Sequence, residues 1–450
     1  MNREASEVRE ISPGYGLETA KPVVPVGYKQ TEVGVIPEDW DSVEVSQLLS
    51  EISMGPFGSD IKVSNFVSEG VPVLDGLNVR QERLLDEFSK FVTESKARSL
   101  KKAVARRGDV VITHRGTIGQ VSYIPPDSAF DEYVISQSQF RARFNSDVLP
   151  QWVTVYFLSE RGSKKLLEGK GHTGVPAIAQ PTTTFRKLRL PAPPIAEQRA
   201  IAQALSDVDA LLEEMNRLIA KKRNIKQATM QHLLTGQTRL PGFEGEWETR
   251  QLGECLLAKP AYGINAPAAP FSDRLPAYVR ITDITDDGRF CPEPPVSVKS
   301  TDTENYQLNV GDVVFARTGA SVGKSYVYRK EDGDLVFAGF LIRVSPNPEI
   351  LLHEFLAAYL TTDAYWKWVT LMSMRSGQPG INGNEYSKLE IPLPKVGEQK
   401  AIATVLSDMD AEISILKQRR AKTAALKKAM MQDLLTGRTR LVKPAFEGVR

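Results

Sequence analysis

One stretch of this chain occurs twice. The segment KLRLPAPPIAEQRAIAQALSDVDA, which begins at Lys187, returns about 200 residues later as KLEIPLPKVGEQKAIATVLSDMDA, which begins at Lys388. The match continues to QHLLTGQTRL, ending at Leu240, and to QDLLTGRTRL, ending at Leu441, with roughly half of the aligned positions identical. Self-similarity of this length indicates an internal duplication. We therefore expect each copy to be preceded by the same kind of module.

Both copies have the apolar spacing of a long amphipathic helix. Gly236 and Gly437 follow the last apolar residues, and prolines precede each segment, which are helix stop and start signals. The spacing indicates a coiled-coil seam, and each helix should span about 35 to 40 residues, or roughly 55 Å. The seam positions are Ile201, Leu205, Val208, Leu212, Met215 and Ile219 in the first copy and Ile402, Leu406, Met409, Ile413 and Leu416 in the second.

Charge is unevenly distributed along both predicted helices. The first half of each is acidic, as at Asp209 and Asp410, and the second half is basic, as at Lys226 and Lys427. Antiparallel packing puts opposite charges side by side, whereas parallel packing puts like charges together. The helix dipole also favours acids at helix starts and bases at helix ends, but only within the terminal turns. We therefore predict an antiparallel pair.

The stretches between the helices combine strand and helix signals. GDVVITHRGTIG from Gly108 and GDVVFARTGASVG from Gly311 each predict a strand, a glycine turn and a second strand, and residues 151–168 and 352–372 predict amphipathic helices. The expected fold class is α/β, with two α/β domains separated by two long antiparallel coiled-coil helices in a pseudo-twofold internal repeat. The expected divisions are an N-terminal extension (1–26), a first domain (27–190), a first helix segment (191–240), a second domain (241–391), a second helix segment (392–441) and a C-terminal tail (442–450).

No segment has the residue spacing of a catalytic or metal site. Cys255 and Cys291 lack zinc-site spacing, and the four histidines are scattered. GASVGKS at 319–325 has three residues between its glycines, whereas a phosphate-binding loop needs four, so it predicts a turn between strands. We expect no cofactor and no metal in this chain. With no signal peptide and no apolar stretch of about 20 residues, the expected location is the cytoplasm.

The chain resembles the specificity subunit of type I restriction-modification enzymes. The motifs that carry the resemblance are the helix entries PAPPIAEQRAIA and PLPKVGEQKAIA, the exit LLTGQTRLPGFEGEW, GPFGS from Gly55, GLNVR from Gly76 and the two GDVV turns. The resemblance covers nearly the whole chain. The resemblance implies that each α/β domain is a target-recognition domain that reads one half of a bipartite site in double-stranded DNA. It also implies that the helices set the spacing between the half-sites.

The resemblance further implies partner proteins. Two methyltransferase subunits, which bind S-adenosylmethionine and methylate adenine, are expected to dock on the helices. Restriction subunits that use ATP and Mg²⁺ would complete a DNA adenine methyltransferase and ATP-dependent endonuclease. The chain itself would be non-catalytic and would hold none of these cofactors.

Candidate DNA-binding residues lie in a basic block, in the two glycine turns and beside the GVPAI and GQPGI segments. Arg and Lys suit guanine or phosphate and Gln suits adenine, although any of these side chains could equally be structural or solvent-facing. At the helix starts, Glu197, Gln198, Glu398 and Gln399 recur, either to cap the helix or to dock a partner. The DNA-binding candidates are Lys101, Lys102, Arg106, Arg107, His114, Arg115, Thr117, His172, Arg317, Thr318, Lys324, Arg375 and Gln378.

Three other functions stay open at this point. The chain could be a stand-alone regulator that binds its DNA site without a partner, or a coiled-coil scaffold with no nucleic-acid role. It could also be a fused methyltransferase or NTPase, in which case it would bind S-adenosylmethionine or ATP itself.

Overall fold

The computed structural model describes residues 24–80, 82–168, 175–374 and 378–442. The chain divides into two compact units: unit 1 comprises Met1–Leu212 and Lys422–Arg450, and unit 2 comprises Glu213–Ala421. Each of the two internal boundaries falls inside a long helix. Both units therefore contain part of each long helix beside their own α/β module.

The long helices, α6 and α10, contain 40 and 39 residues, as the repeat predicted. Gly236 and Gly437, which follow their ends, have φ angles of 72° and 69°, a backbone conformation that favours glycine. No helix in the described ranges is both long and apolar enough to cross a membrane. The α-helices are α1 (Val45–Leu48), α2 (Glu94–Ser99), α3 (Pro150–Leu158), α4 (Glu160–Leu167), α5 (Pro181–Lys187), α6 (Ile195–Leu234), α7 (His353–Tyr359), α8 (Asp363–Ser373), α9 (Gly383–Ser387) and α10 (Val396–Leu434).

The sheets of unit 1 are small. A four-stranded antiparallel sheet has the order β10-β9-β12-β4, and β3 pairs with β13, the strand that leads into α6. The strands are β1 (Tyr28–Thr31), β2 (Gly34–Pro37), β3 (Asp41–Glu44), β4 (Leu49–Met54), β5 (Phe66–Val67), β6 (Val71–Pro72), β7 (Phe91–Val92), β8 (Val104–Arg106), β9 (Val110–Thr113), β10 (Val121–Tyr123), β11 (Glu132–Val134), β12 (Gln139–Phe144) and β13 (Arg189–Ala192).

Unit 2 repeats this plan. Its antiparallel sheet β20-β19-β22-β15 corresponds strand by strand to the first, and β14 pairs with β23, the strand that leads into α10. The predicted strand, glycine turn and strand are β9 with β10 and β19 with β20, which confirms both hairpins. The strands are β14 (Glu248–Gln251), β15 (Ala261–Tyr262), β16 (Ala268–Pro270), β17 (Ala277–Val279), β18 (Val296–Val298), β19 (Val313–Ala316), β20 (Ser325–Val327), β21 (Leu335–Phe337), β22 (Leu341–Val344) and β23 (Glu390–Leu393).

The segments predicted as single amphipathic helices, 151–168 and 352–372, are each two helices. In unit 1 the break falls at Ser159, whose extended backbone ends α3 and whose hydroxyl accepts a hydrogen bond from Gly162 N to cap α4. In unit 2, Thr362 caps α8 through Tyr365 N in the same way. The apolar spacing alone did not reveal these breaks, because serine and threonine occur both inside helices and at their caps.

The two long helices pack antiparallel within each unit. In unit 2, Lys222 lies 2.7 Å from Glu412, while Lys226, further along α6, lies 2.6 Å from Asp410, which is earlier in α10. In unit 1, Lys427 of α10 lies 2.5 Å from Asp209 of α6. Each pair joins a basic second half to an acidic first half, as the charge distribution predicted. The predicted architecture of two α/β modules with two long antiparallel helices is confirmed.

Each unit has its own principal core, built from the four-stranded sheet, the following helices and the ends of both long helices. In unit 1, Trp40 and Trp152 meet edge to face with 5.8 Å between ring centroids, and both are fully buried. In unit 2, Phe315 of β19 stacks on Tyr386 of α9 at 4.4 Å. Both long helices contribute to these cores. The predicted seam residues Ile201 and Leu205 lie in the unit 1 core with Leu434, and the seam residues Ile402 and Leu406 lie in the unit 2 core with Met230 and Leu233.

The carboxyl group of Glu82 is buried in unit 1 near the helix pair. Its side chain is 6% exposed, and its Oε1 has no hydrogen-bond partner among the described residues. The pKa of Glu82 is raised to about 7, first by burial and then by the charge of Asp209, while the charges of Lys427 and Arg83 oppose the shift. The folded chain therefore takes up a proton as the pH falls from about 7 toward 4.5.

We expect Glu82→Gln to flatten the dependence of stability on pH. Because the folded pKa exceeds the ordinary value of 4.5, this group's stabilising contribution is complete below that value and is lost as the pH rises through 7. The variant should be more stable than the wild type at pH 8, by at most about 3 kcal/mol, and nearly equal to it near pH 4.5. Urea unfolding at both pH values measures this, with the exposed Glu87→Gln as the control. A wild-type-to-variant difference that does not change with pH would contradict the prediction.

Candidate nucleic-acid interface

In unit 1 the turn after β9 is held in place by two other loops. Gly116 N donates to the Pro176 carbonyl at 2.9 Å, and Ile178 N donates to the His114 carbonyl at 2.8 Å, which fixes the turn against the GVPAI segment. His114 N also donates to the carbonyl of Ser138, in the loop before β12, at 2.8 Å. The backbone thus brings three loops together at one end of the sheet.

Unit 2 contains the same arrangement after β19. Gly319 N donates to the Pro379 carbonyl at 3.0 Å, and Ile381 N donates to the Arg317 carbonyl at 2.9 Å. Arg317 N donates to the Phe340 carbonyl, in the loop before β22, at 3.1 Å. These bonds make Arg317 the structural counterpart of His114, Thr318 that of Arg115, and Phe340 that of Ser138.

A fourth loop joins each cluster through a glycine. Gly55 N, in GPFGS, donates to the Gln139 carbonyl at 2.8 Å, and Gly263 N donates to the Leu341 carbonyl at 3.2 Å. The sequence did not reveal that GPFGS has a counterpart in GINAP. The two segments share little beyond the glycine, and the signal that relates them is the pairing of each with an equivalent strand.

We name these clusters by their residues. The unit 1 loop face consists of residues 55–59, 114–117, 137–138 and 175–178. The unit 2 loop face consists of residues 263–267, 317–319, 339–340 and 378–381. Their backbones correspond, whereas their residues differ at ten of the fourteen equivalent positions; the four shared residues are two glycines, one proline and one isoleucine.

The unit 1 loop face exposes Phe57, with 82% of its surface accessible, together with Arg115 and Thr117. His114 lies beneath them, 9% exposed, with its Nε2 3.2 Å from the Gln137 carbonyl oxygen. Burial lowers the pKa of His114 below its usual value. Arg115 and Thr117 are therefore placed to reach a ligand, while His114 supports the loops behind them.

The unit 2 loop face carries a half-buried arginine beside exposed side chains. The guanidinium of Arg317 lies over the Tyr262 ring at 5.2 Å from its centroid, and Phe340 is 58% exposed. Gln378 is exposed and close to Gly319, whereas Thr318 is half-buried. Arg317 and Phe340 line a groove of about 690 Å³, whose other lining residues include Tyr262, Asn265, Tyr278 and Arg280.

The basic block lies apart from the turn of unit 1. Lys101 and Lys102 are exposed in a 3-10 turn. Arg106 and Arg107 form ion pairs with Glu132 and Asp131 at 2.8 and 2.9 Å. The block precedes β9 and the turn follows it, so a strand of four residues, about 13 Å long, separates them.

Three further candidates lie away from the loop faces or outside the described ranges. Lys324 forms an ion pair with Asp286 at 2.6 Å, and the GASVGKS stretch is a 3-10 turn between β19 and β20, as its glycine spacing predicted. His172 and Arg375 lie outside the described residues.

Comparisons with known proteins agree with this architecture. The family model described as "Type I restriction modification DNA specificity domain" matches residues 37–222 and 278–423. The chain belongs to the type I restriction-modification specificity subunits. It is 24% identical over 437 residues to the putative MjaX specificity subunit of Methanocaldococcus jannaschii, covering 92% of this chain and 97% of that protein. It is also 22% identical to the MjaVIII specificity subunit of that organism, covering 90% and 94%.

Two solved structures share the fold of this specificity subunit. One is a chain from work on complex assembly and conformational transition of the type I R-M system, with a TM-score of 0.58 and 18% identity, covering 90% of this chain and 99% of that one. The other is the type I restriction-modification S subunit from M. genitalium, with a TM-score of 0.51 and 14% identity, covering 88% and 96%. At these identities the likeness supports the fold alone.

In this specificity subunit the glutamates at the helix starts are buried ion-pair partners. Glu197 lies 2.6 Å from Arg440, which follows α10, and accepts a hydrogen bond from Trp40 Nε1 at 3.0 Å. Arg440 also forms an ion pair with Asp39 at 2.7 Å. Arg440 thus fastens the segment that follows α10 to the first module.

Unit 2 repeats this contact. Glu398 lies 2.6 Å from Arg239, which follows α6, and accepts a hydrogen bond from Trp247 Nε1 at 3.2 Å. The RTRL and QTRL endings of the repeat, whose role the sequence did not reveal, supply the arginine each time. The spacing of 201 positions between Arg239 and Arg440 matches the spacing between Glu197 and Glu398.

The neighbouring glutamines hold the module to the helix. Gln198 Oε1 accepts from Leu149 N at 2.8 Å, and its Nε2 donates to the Pro193 carbonyl. Gln399 makes the equivalent bonds to Leu352 N and the Pro394 carbonyl. The side chains of Glu197, Gln198, Glu398 and Gln399 are all 2% exposed or less, and their bonds join each helix start to neighbouring segments of the same unit. Helix capping and partner docking, the two roles left open above, stay predictions.

Proposed function

We propose that this specificity subunit reads a bipartite double-stranded DNA site, with one half-site bound at the unit 1 loop face and the other at the unit 2 loop face. The supporting observation is that the two faces have equivalent backbone frameworks with different side chains. Equivalent backbones with different side chains suit two domains that bind different DNA sequences, since proteins distinguish base edges by side-chain chemistry.

We further propose that α6 and α10 set the distance between the half-sites. Two readers joined by stiff helices gain affinity through effective concentration, because binding one half-site presents the other at a fixed separation. The antiparallel ion pairs within each unit support this role, since they hold the helices in one register. We expect base contacts from the loop faces and phosphate contacts from the basic block.

The partners follow from the family. We propose that the chain docks two methyltransferase subunits, which supply S-adenosylmethionine and methylate adenine, and that restriction subunits using ATP and Mg²⁺ join them. The relatives' names as specificity subunits of type I restriction enzymes support this assembly. In it, the chain directs methylation and restriction without carrying out either reaction. The expected location of such a complex is the cytoplasm, where the host DNA lies.

Mapping methylated adenines in host DNA, with and without this gene, tests the proposal. We expect one motif of two short half-sites at a fixed spacing, present only when the gene is present. An unchanged methylation map in cells that produce the chain and a matching methyltransferase would contradict it. Stand-alone binding of the chain to its site would instead support a regulator, and micromolar binding of S-adenosylmethionine or ATP to the purified chain would support an enzyme.

Exchanging residues 27–186 for the corresponding module of another specificity subunit should change one half-site and leave the other half-site and the spacing unchanged. The reason is that this segment contains the unit 1 loop face but neither long helix. The methylation map of the exchange strain measures this. The matched control exchanges residues 241–387 and should change the other half-site alone. Altered spacing in either strain would contradict the assignment of spacing to the helices.

A further inference from the structure

Among the described residues that line the unit 2 groove, Arg317 is the arginine whose guanidinium has no acceptor. Among the described residues, none accepts a hydrogen bond from it or forms an ion pair with it, and its Nε is buried. The other arginine of the groove, Arg280, is held by Asp283 through two bonds of 2.7 and 2.9 Å. An arginine has five N–H donors, and leaving them unmatched in a half-buried position is costly. The groove therefore offers donors to an acceptor from outside the chain.

The plane of this guanidinium is held by its surroundings. It lies over the Tyr262 ring, whose hydroxyl accepts a hydrogen bond from Gly383 N at 3.1 Å, so the ring is itself fixed. One wall of the groove is anchored by Tyr278, whose hydroxyl donates to the carbonyls of Ile264 and Ala266. A planar fork in a fixed orientation suits an acceptor pair of matching geometry more than a single point charge.

We propose that Arg317 reads a guanine in the half-site bound by unit 2, and that Tyr262 is a positioning residue for it. This deepens the proposed function and rests on it. Guanine presents two acceptors, O6 and N7, side by side in the major groove, which an arginine fork bonds simultaneously. Phosphate is the other acceptor that an arginine fork binds, and the sequence and salt dependence of binding by Arg317 variants distinguishes it from guanine. The exposed Phe340 beside Arg317 adds an apolar surface suited to a neighbouring base.

The DNA provides a test that needs no protein variant. Once the methylation map has given the motif, each guanine of the unit 2 half-site is replaced in turn by 7-deazaguanine, which lacks the N7 acceptor. Binding is measured with the full chain assembled with its methyltransferase subunits. We expect one position, and one only, to weaken binding by about 10-fold or more. A unit 2 half-site without guanine, or uniform tolerance of 7-deazaguanine, would overturn the proposal.

Variants of Arg317 test the protein side. Arg317→Lys and Arg317→Met should reduce discrimination at that one base pair by about 10- to 100-fold, with the unit 1 half-site and the spacing unchanged. In these variants the 7-deazaguanine substitution should have no further effect, because both changes remove the same contact. Equal weakening on every sequence, with a shallower salt dependence, would identify a phosphate contact and overturn the proposal.

Matched variants separate reading from folding. Arg343 also lies over an aromatic ring, that of Phe337 at 5.2 Å, but its guanidinium donates to the Gln307 carbonyl, so Arg343→Lys should leave the motif unchanged. Tyr262→Phe keeps the ring but removes the hydroxyl that accepts from Gly383 N, so it should reduce discrimination less than Tyr262→Leu, which removes the ring as well. Retained discrimination in Tyr262→Leu would count against the positioning role. A wild-type chain that directs no methylation would refute the proposed function, whereas an unchanged motif in Arg317→Met would refute only this inference.

Discussion

Replacing Arg440 with methionine is expected to lower the free energy of unfolding by about 3 to 5 kcal/mol. The substitution leaves the carboxylate of Glu197, 1% exposed, with the N–H of Trp40 as its remaining side-chain partner. A buried charge that has lost its partner is strongly destabilising, because no water replaces the lost bonds. Arg440 also stacks on Trp40 at 5.7 Å, so part of the loss is lost packing. Urea unfolding at pH 7 measures the effect.

Three further variants test this prediction. Arg438→Met, two residues earlier at an exposed position, should change stability by less than about 0.5 kcal/mol. Arg239→Met should reproduce the loss in unit 2, because Arg239 bonds Glu398 through the same geometry. The double variant Arg440→Met/Glu197→Leu should recover part of the loss, since the uncompensated charge is gone. If Arg440→Met proved as mild as Arg438→Met, the contact between the C-terminal segment and the first module would not be a major source of stability.

Replacing Gly263 with alanine is expected to disrupt the unit 2 loop face. A Cβ atom at this position would lie 2.2 Å from the Ala338 carbonyl oxygen, and one at Gly55 would lie 1.9 Å from the Ser136 carbonyl oxygen. Because each clashing atom belongs to the backbone and not to the end of a flexible side chain, the loop itself must move. This should lower the free energy of unfolding by about 2 kcal/mol or more. Because these loops frame the reading surfaces, Gly263→Ala should weaken recognition of one half-site and Gly55→Ala that of the other.

Glycines outside the loop faces supply the controls. A Cβ at Gly397 would lie 3.9 Å from Phe243 Cε1 and one at Gly76 would lie 3.7 Å from Gln120 Oε1, which are ordinary contacts. Gly397→Ala and Gly76→Ala should therefore keep the motif without lowering stability. Thermal unfolding and the methylation map measure the two properties. Wild-type recognition of both half-sites by Gly55→Ala and Gly263→Ala would show that these loops do not shape the reading surfaces.

Much of the architecture follows from spacing along the chain. The seam of apolar residues has the period of a helix. The repeat at about 200 residues implies that each helix has an equivalent module packed on it. The separation of acidic and basic halves was enough to predict the antiparallel pairing that Lys226 and Asp410 make. The two glycine turns could be predicted because a short apolar run on each side of a glycine is typical of two strands joined by a tight turn.

What the sequence by itself determined was the duplication, the helices and their direction, and the hairpins, because each depends on local period or on charge along one element. Tertiary structure alone decided which loops share a face, since the likeness of GPFGS to GINAP resides in their pairing with equivalent strands. It also decided that Glu197 is a buried partner of Arg440, 243 residues away, and that Arg317 lies over Tyr262 with no hydrogen-bond acceptor among the described residues. The burial and ion pairing of a side chain depend on which residues from distant parts of the chain pack against it, and a local sequence pattern does not contain that information.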